Sequence, residues 1–376
     1  MISALRFSHP RSFAPTRIAL PSLTQRIRTA ALSTVAFQCK QTFSYHNKPI
    51  QSLAADSQGK FLISGCAAGK IVLQDLHSGE KPVVLNREER GKNEVTFVGY
   101  LPSQKLFVGG MAYGTMALWS ANGDKTTLGS HLGRVQRSFQ TFRSTWFRSE
   151  QISHWGDVNS VVETFSSFRK GPMIVSASQD ETIKAWDPQK PGVPLFTVGT
   201  HRGPIYSLVV CNANRIASAA EDGMIKLWNP FFKKDKGQLL QTLTHTGRVV
   251  TLLFLREQNT LISKNESNHG STIKAWDLSD SETALQVREF ETSARLLEVE
   301  KVLSLAAFVD GTMALGYKNG EIRLWNYFKD ENNPSLTVLP QMHKTGVRAL
   351  TVLSDSSLVS GGEDGTIHRW VQKTSS

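Results

Sequence analysis

The sequence predicts an all-β protein built from one unit repeated seven times. Three observations carry that prediction. A short apolar run, a polar turn and a second run ending in Trp recur as IVSASQDETIKAWD (174–187), RIASAAEDGMIKLWN (215–229), TLISKNESNHGSTIKAWD (260–277), MALGYKNGEIRLWN (313–326) and SLVSGGEDGTIHRWV (357–371). FVGGMAYGTMALWS (107–120) and LISGCAAGKIVLQD (62–75) are weaker copies, the latter with Gln74 in place of Trp. The marker positions Gln74, Trp119, Trp186, Trp228, Trp276, Trp325 and Trp370 are spaced by 45, 67, 42, 48, 49 and 45 residues, a period that belongs to repeat architectures.

Local chemistry makes each copy a hairpin. Asp-Gly at 222–223 and 364–365 suits the left-handed backbone of a tight turn. In TIKAW, alternation places Ile183 and Ala185 on one face and Thr182, Lys184 and Trp186 on the other. Five hairpins are preceded by a histidine with Val or Ile four residues later, in HNKPI, HWGDV, HRGPI, HTGRV and HKTGV. These histidines are His46, His154, His201, His245 and His343, each 27–32 residues before its marker.

On these residues the chain, over about 34–376, resembles the WD-repeat family of β-propellers. The resemblance implies a single seven-bladed propeller of four-stranded antiparallel blades around a channel. Some copies depart from the pattern: only Asp75, Asp187 and Asp277 supply the Asp after the marker, and the copy ending at Trp325 lacks the histidine. No residues follow Trp370 in sufficient number to supply an outer strand for the last blade. AFQCKQTFS (36–44) is an unassigned strand-like segment, and it is expected to pair there, closing the ring and removing two sheet edges.

Ser178, Asp180 and His154 are the residue types of a hydrolytic triad. No G-x-S-x-G elbow accompanies them, and the resemblance implies a structural relay instead. Indole N–H only donates, hydroxyl and neutral imidazole do both, and carboxylate only accepts. The expected order is Trp186 to Ser178 to His154 to Asp180. Ala220 and Gly362 stand where Ser178 stands, so the relays of their blades are expected to be cut. No catalytic residue, cofactor or metal is assigned: GCAAGK (65–70) misses the phosphate-loop spacing, and no H-x-x-x-H lies on a plausible helix.

Composition narrows the function classes. No apolar run reaches the ~18–20 residues of a membrane-spanning helix. Cys39, Cys66 and Cys211 are far apart, which argues against a disulfide framework or structural zinc. The net charge of +11 is concentrated: residues 1–33 carry +5 with no acid and residues 132–154 carry +3, leaving +3 for the rest. Nucleic-acid binding is therefore not expected outside 132–154. Residues 1–33 read either as a transit peptide, mitochondrial or plastid, or as a disordered basic tail on a cytoplasmic protein; secretion is not expected. Residues 131–153 account for the 67-residue spacing, either as an inserted basic, aromatic loop between the second and third blades or as an unspliced segment.

The resemblance places partner binding on the face bearing the histidines and Asp turns, near the channel mouth. The positions three and five residues after each histidine, and the residue before each turn Asp, select Tyr206, Arg248 and Arg348 with Glu221 and Glu363, and Arg202, next to His201, joins them. The expected function is a non-catalytic protein-interaction scaffold or adaptor, a monomer within a larger complex. A ubiquitin-ligase substrate receptor and an RNA-associated propeller binding through the basic insert are the alternatives. The aromatic–basic stretches NPFFKKDKG (229–237) and NYFKDENN (326–333) either pack beneath their blades or form a second partner site.

Overall fold

In a computed structural model, the described residues are 37–86, 94–121, 123, 125–129, 156–166, 171–190, 194–212, 214–233, 236–266, 271–279, 285–291, 301–326 and 337–373. The transit-peptide or tail reading, the 131–153 insert, His154, Tyr327 and Phe328 lie outside them.

Strand β1 (Phe37–Phe43) precedes the repeats. Blade 1 is β2 (Ile50–Ala55), β3 (Phe61–Cys66), β4 (Ile71–Asp75) and β5 (Val83–Asn86). Blade 2 is β6 (Val95–Leu101), β7 (Leu106–Met111), β8 (Met116–Trp119) and β9 (Lys125–Gly129). Blade 3 is β10 (Val158–Ser166), β11 (Gly171–Ser178), β12 (Thr182–Trp186) and β13 (Phe196–Thr200). Blade 4 is β14 (Ile205–Asn212), β15 (Arg215–Ala220), β16 (Met224–Lys233) and β17 (Lys236–Thr244). Blade 5 is β18 (Arg248–Leu255), β19 (Thr260–Glu266), β20 (Thr272–Asp277) and β21 (Leu285–Glu291). Blade 6 is β22 (Val302–Ala307), β23 (Thr312–Tyr317), β24 (Ile322–Asn326) and β25 (Thr337–Val338). Blade 7 is β26 (Val347–Val352), β27 (Leu358–Gly362) and β28 (Ile367–Gln372), completed by β1.

These seven antiparallel sheets form a β-propeller. Their first strands touch in sequence, and β26 returns to β2. β1 pairs antiparallel with β28, Phe37 opposite Gln372 and Phe43 opposite Ile367, so the ring is closed as expected. The turn chemistry holds as well: Gly223 and Gly365 adopt φ of 74° and 76°.

The core lies between blades, which explains why both faces of each hairpin are buried. Ile183 and Ala185 are buried on one face of β12, and Trp186 and Lys184 on the other. Trp228 illustrates the inter-blade packing. Its ring lies so close to Gly199 of β13 that a Cβ there would sit 2.3 Å from it, so only glycine fits. Hydroxyls on the first strands stitch neighbouring blades together: Ser52, Ser160 and Ser207 accept from the backbone N–H of Val98, Leu208 and Leu252. In NPFFKKDKG, residues 229–233 belong to β16 and 236–237 to β17, strands that pair antiparallel up to Lys233 and Lys236. Phe231 is buried edge-on to Phe196, while Phe232 is exposed.

Candidate functional site

In blade 3 the indole–serine link of the expected relay is present, with the serine two residues earlier than expected, and His154 lies outside the described residues. Trp186 Nε1 donates to Ser176 Oγ at 2.7 Å; Ser178 Oγ instead donates to the Gly156 carbonyl at 2.9 Å. The hairpin register supplies the reason. Trp186 lies opposite Ile174, so Ser176 is its diagonal neighbour on the same face. Ser178 is a further pleat away, about 13 Å along the strand from Trp186's partner and out of reach. Asp180 Oδ1 accepts from Thr182 N at 3.0 Å and Thr182 Oγ1 at 2.6 Å.

The same offset restores the relays expected to be cut. In blade 4, Trp228 donates to Ser218 at 2.8 Å, Ser218 meets His201 Nε2 at 2.7 Å, and His201 Nδ1 meets both Asp222 oxygens at 3.1 Å. In blade 7, Trp370 donates to Ser360, Ser360 meets His343 Nε2, and His343 Nδ1 meets Asp364 at 2.9, 2.8 and 3.4 Å. Blade 5 pairs Trp276, Ser263 and His245, and its Asn265 instead holds the turn backbone. In blade 2, Gly109 occupies the serine position and Trp119 Nε1 is buried without an acceptor. Ala220 and Gly362 sit beside the relay, not in it; a Cβ at 362 would lie 2.4 Å from His343 Nδ1.

These hydroxyls cannot serve as nucleophiles. Ser176, Ser218, Ser263 and Ser360 are all fully buried, and burial holds His201 and His343 below the ordinary imidazole pKa. Ser218, Ser263 and Ser360 are each held between the Trp and the His of their own blade. Among the described residues, no three His, Cys, Asp or Glu side chains converge to hold a metal ion, and no helix is long and apolar enough to cross a membrane.

The surface above the relays carries the charged groups. All lie at one end of the blades, where first strands begin and second strands end. Tyr206, on β14, donates to Glu221 Oε2 at 2.5 Å, and burial followed by Glu221 raises its pKa to about 12. Arg248, opening β18, lies 3.9 Å from the same Glu221 oxygen and 2.9 Å from Glu266 Oε2. Tyr206, Glu221 and Arg248 are thereby joined across blades 4 and 5. Arg348 and Glu363 form a separate pair on blade 7 at 2.7 Å. Arg202 is exposed, with its backbone N–H on Asp222 at 3.0 Å.

Three residues of this surface escaped the sequence reading: Glu266, Lys264 and Lys301. Glu266 Oε1 accepts from Lys264 Nζ at 3.1 Å, while Oε2 receives Arg248 at 2.9 Å and Lys301 at 2.8 Å. Burial opposes its charge, but Lys264 and the other two cations prevail and hold its pKa at about 2. The Lys264 side chain is wholly buried. A signal for it was present in the repeats. The six other blades place Gly65, Gly110, Ala177, Ala219, Gly316 and Gly361 at its register position, all small and, where glycine, set against the next blade's first strand. Glu266 was hidden because the blade 5 turn is longer and lacks the Asp that marked Glu221 and Glu363.

Comparison with known proteins agrees with this architecture. The family described as WD domain, G-beta repeat matches residues 37–75, 147–187, 192–229 and 334–370, which end on, or in blade 3 one residue past, the third strands of blades 1, 3, 4 and 7. The small ribosomal subunit protein RACK1 of Drosophila melanogaster is 29% identical over 164 residues, covering 43% of this chain and 49% of that protein. Protein tipD of Dictyostelium discoideum is 21% identical over 370 residues, covering 94% of this chain and 52% of its own length. The chain thus spans about half the length of these relatives. The crystal structure of the WD40 β-propeller domain of Doa1 superposes with a TM-score of 0.64 at 19% identity, over 91% of this chain and 98% of that one.

Proposed function

Because this chain belongs to the WD-repeat family of β-propellers, we propose that it is a non-catalytic protein-interaction scaffold whose partner docks on the face carrying Tyr206, Arg248 and Arg348. The observation that carries this reading is the contrast between the two layers of that face. The hydroxyl–imidazole–carboxylate sets beneath it are buried and internally satisfied, so they maintain the blades. The groups above them are large, polar and accessible. Arg248 and Arg348 are each about two-fifths exposed and held by carboxylates at the ends of the second strands, which limits the rotamer entropy lost when a partner binds. Tyr206 is fixed by Glu221 in the same way. Tyr and Arg in held conformations are the side chains that most often dominate interface energetics.

The test is quantitative affinity capture from the source cells, comparing the tagged protein with a Tyr206→Ala/Arg248→Ala/Arg348→Ala variant that retains its circular-dichroism melt. Loss of a defined set of proteins supports the reading and identifies the partners. An unchanged set refutes the face, and the exposed Phe232 edge of the β16–β17 hairpin is then the next surface to vary.

A further inference from the structure

The channel mouth is electrically two-sided. In every blade a Val or Ile at the start of the first strand, the second residue in blade 5 and the first elsewhere, is followed by a bulge. The residue just before that Val or Ile is Glu94 in blade 2, Asp157 in blade 3, Arg248 in blade 5 and Lys301 in blade 6; in the other three blades it is uncharged. Acids therefore lie on one arc of the mouth and bases on the other. The basic arc is reinforced from below by Lys264 and from beside by exposed Lys318, which follows the second strand of blade 6 as Glu221 and Glu363 follow theirs. Lys318 N–H donates to the Lys301 carbonyl at 2.8 Å, which fixes the two residues side by side.

Against Arg248, Lys264, Lys301 and Lys318, the described residues set Glu266 and, 3.9 Å from Arg248, Glu221 of blade 4, while Glu321 of blade 6 is paired with Arg323. On blade 7, by contrast, Arg348 and Glu363 match one to one. Arg248 and Lys301 both converge on Glu266 Oε2, so their nitrogens are no farther apart than those two contacts combined. That separation suits an oxygen pair bridging them from above. Each retains unused donors, since a guanidinium has five N–H groups and an ammonium three. The excess positive charge lies well within a Debye length of about 8 Å and is not screened away.

We propose that this blade 5–6 junction is a carboxylate-reading subsite that anchors an acidic segment of the protein partner, with Arg248 and Lys301 as its contacts and Lys264–Glu266 as the buried pair that holds them in position. The inference rests on the scaffold reading and adds the chemistry and orientation of the partner: its acidic residues lie over blades 5 and 6, and Glu94 and Asp157 repel them from blades 2 and 3.

The test uses fluorescein-labelled hexaglutamate as the probe, with hexalysine and a phosphoserine peptide of the same length beside it, read by fluorescence anisotropy in 50 mM and 150 mM salt. Hexaglutamate is expected to bind the full chain, more weakly at the higher salt. Arg248→Ala/Lys301→Ala is expected to weaken it at least tenfold, and Arg348→Ala less than twofold. Lys301→Glu, which keeps Arg248 in place, is a second variant should the double change impair folding. The proposal is overturned if the double variant binds within twofold of the unaltered protein, if Arg348→Ala loses as much, or if hexalysine binds equally well. A preference above tenfold for the phosphoserine peptide reassigns the subsite to phosphoryl groups. If hexaglutamate binding is indifferent to these residues while affinity capture still depends on the face, the scaffold reading stands and the carboxylate assignment falls; the converse outcome separates them the other way.

Discussion

Replacing Ser218 by Ala tests the relay most directly. Asp222 is a carboxylate and can only accept, so the proton of His201 sits on Nδ1 and Nε2 carries the lone pair. Ser218 therefore donates to His201 Nε2 at 2.7 Å and accepts from Trp228 Nε1 at 2.8 Å. The substitution strands one buried acceptor and one buried donor. At about 1–3 kcal/mol each, the expected loss is about 2–6 kcal/mol. The propeller, Ala36–Ser376, has an unfolding entropy of about 0.7 kcal/mol/K at about 2 cal/mol/K per residue, so the melting temperature should fall by about 3–9 °C. Ser64→Ala is the internal comparison. Gln74 stands where the other blades have Trp, and Ser64 meets only His46 Nε2 among the relay partners, at 2.8 Å, so about half the effect is expected. Thermal denaturation followed by circular dichroism at pH 7.5 and one scan rate measures both. A melt of Ser218→Ala within about 1 °C of the unaltered protein, or equal losses in the two variants, would refute the account.

Three further outcomes are expected. Trp119→Phe removes an indole N–H that already lacks an acceptor, so in urea unfolding it should cost at least ~1 kcal/mol less than Trp228→Phe, which breaks a relay. Glu266→Gln leaves the buried Lys264 without its carboxylate and should cost about 3 kcal/mol, falling below ~1 kcal/mol in a Lys264→Met background; a double-mutant cycle of urea midpoints reads the difference, and equal costs contradict the buried pair. Burial holds His46 and His368 near pKa 4, below the ordinary value of 6.5, so the unfolded chain binds more protons between those limits. Stability should be complete above pH 6.5 and decline as pH falls toward 4, with His46 alone contributing about 3 kcal/mol; melts at pH 7.5, 5.5 and 4.5 that coincide would contradict this.

Where sequence reasoning succeeded, the chemistry was local. Asp222-Gly223 and Asp364-Gly365 specify their turns because the backbone conformation depends on those residues alone. Repeated runs with one period specify seven hairpins, and the surplus strand at 36–44 follows from the missing outer strand of the last blade. The relay failed by one pleat for a definable reason. Donor and acceptor types were read correctly, but the partner of an indole depends on the hairpin register and on how far the ring leans along the strand. A spacing of eight and one of ten residues look alike in a linear pattern, and only the longer reaches.

The sequence by itself determined the repeat, the strand pattern, the ring closure and the kinds of groups at the channel mouth. Only the tertiary structure decided which of those groups share a charge. Glu266 gathers Arg248 from its own first strand, Lys264 from its own second strand and Lys301 from the next blade. Lys301 lies thirty-five residues from Glu266 along the chain, beyond any local pattern. Coulomb interactions depend on distance in space, and that distance is set by packing one blade against the next.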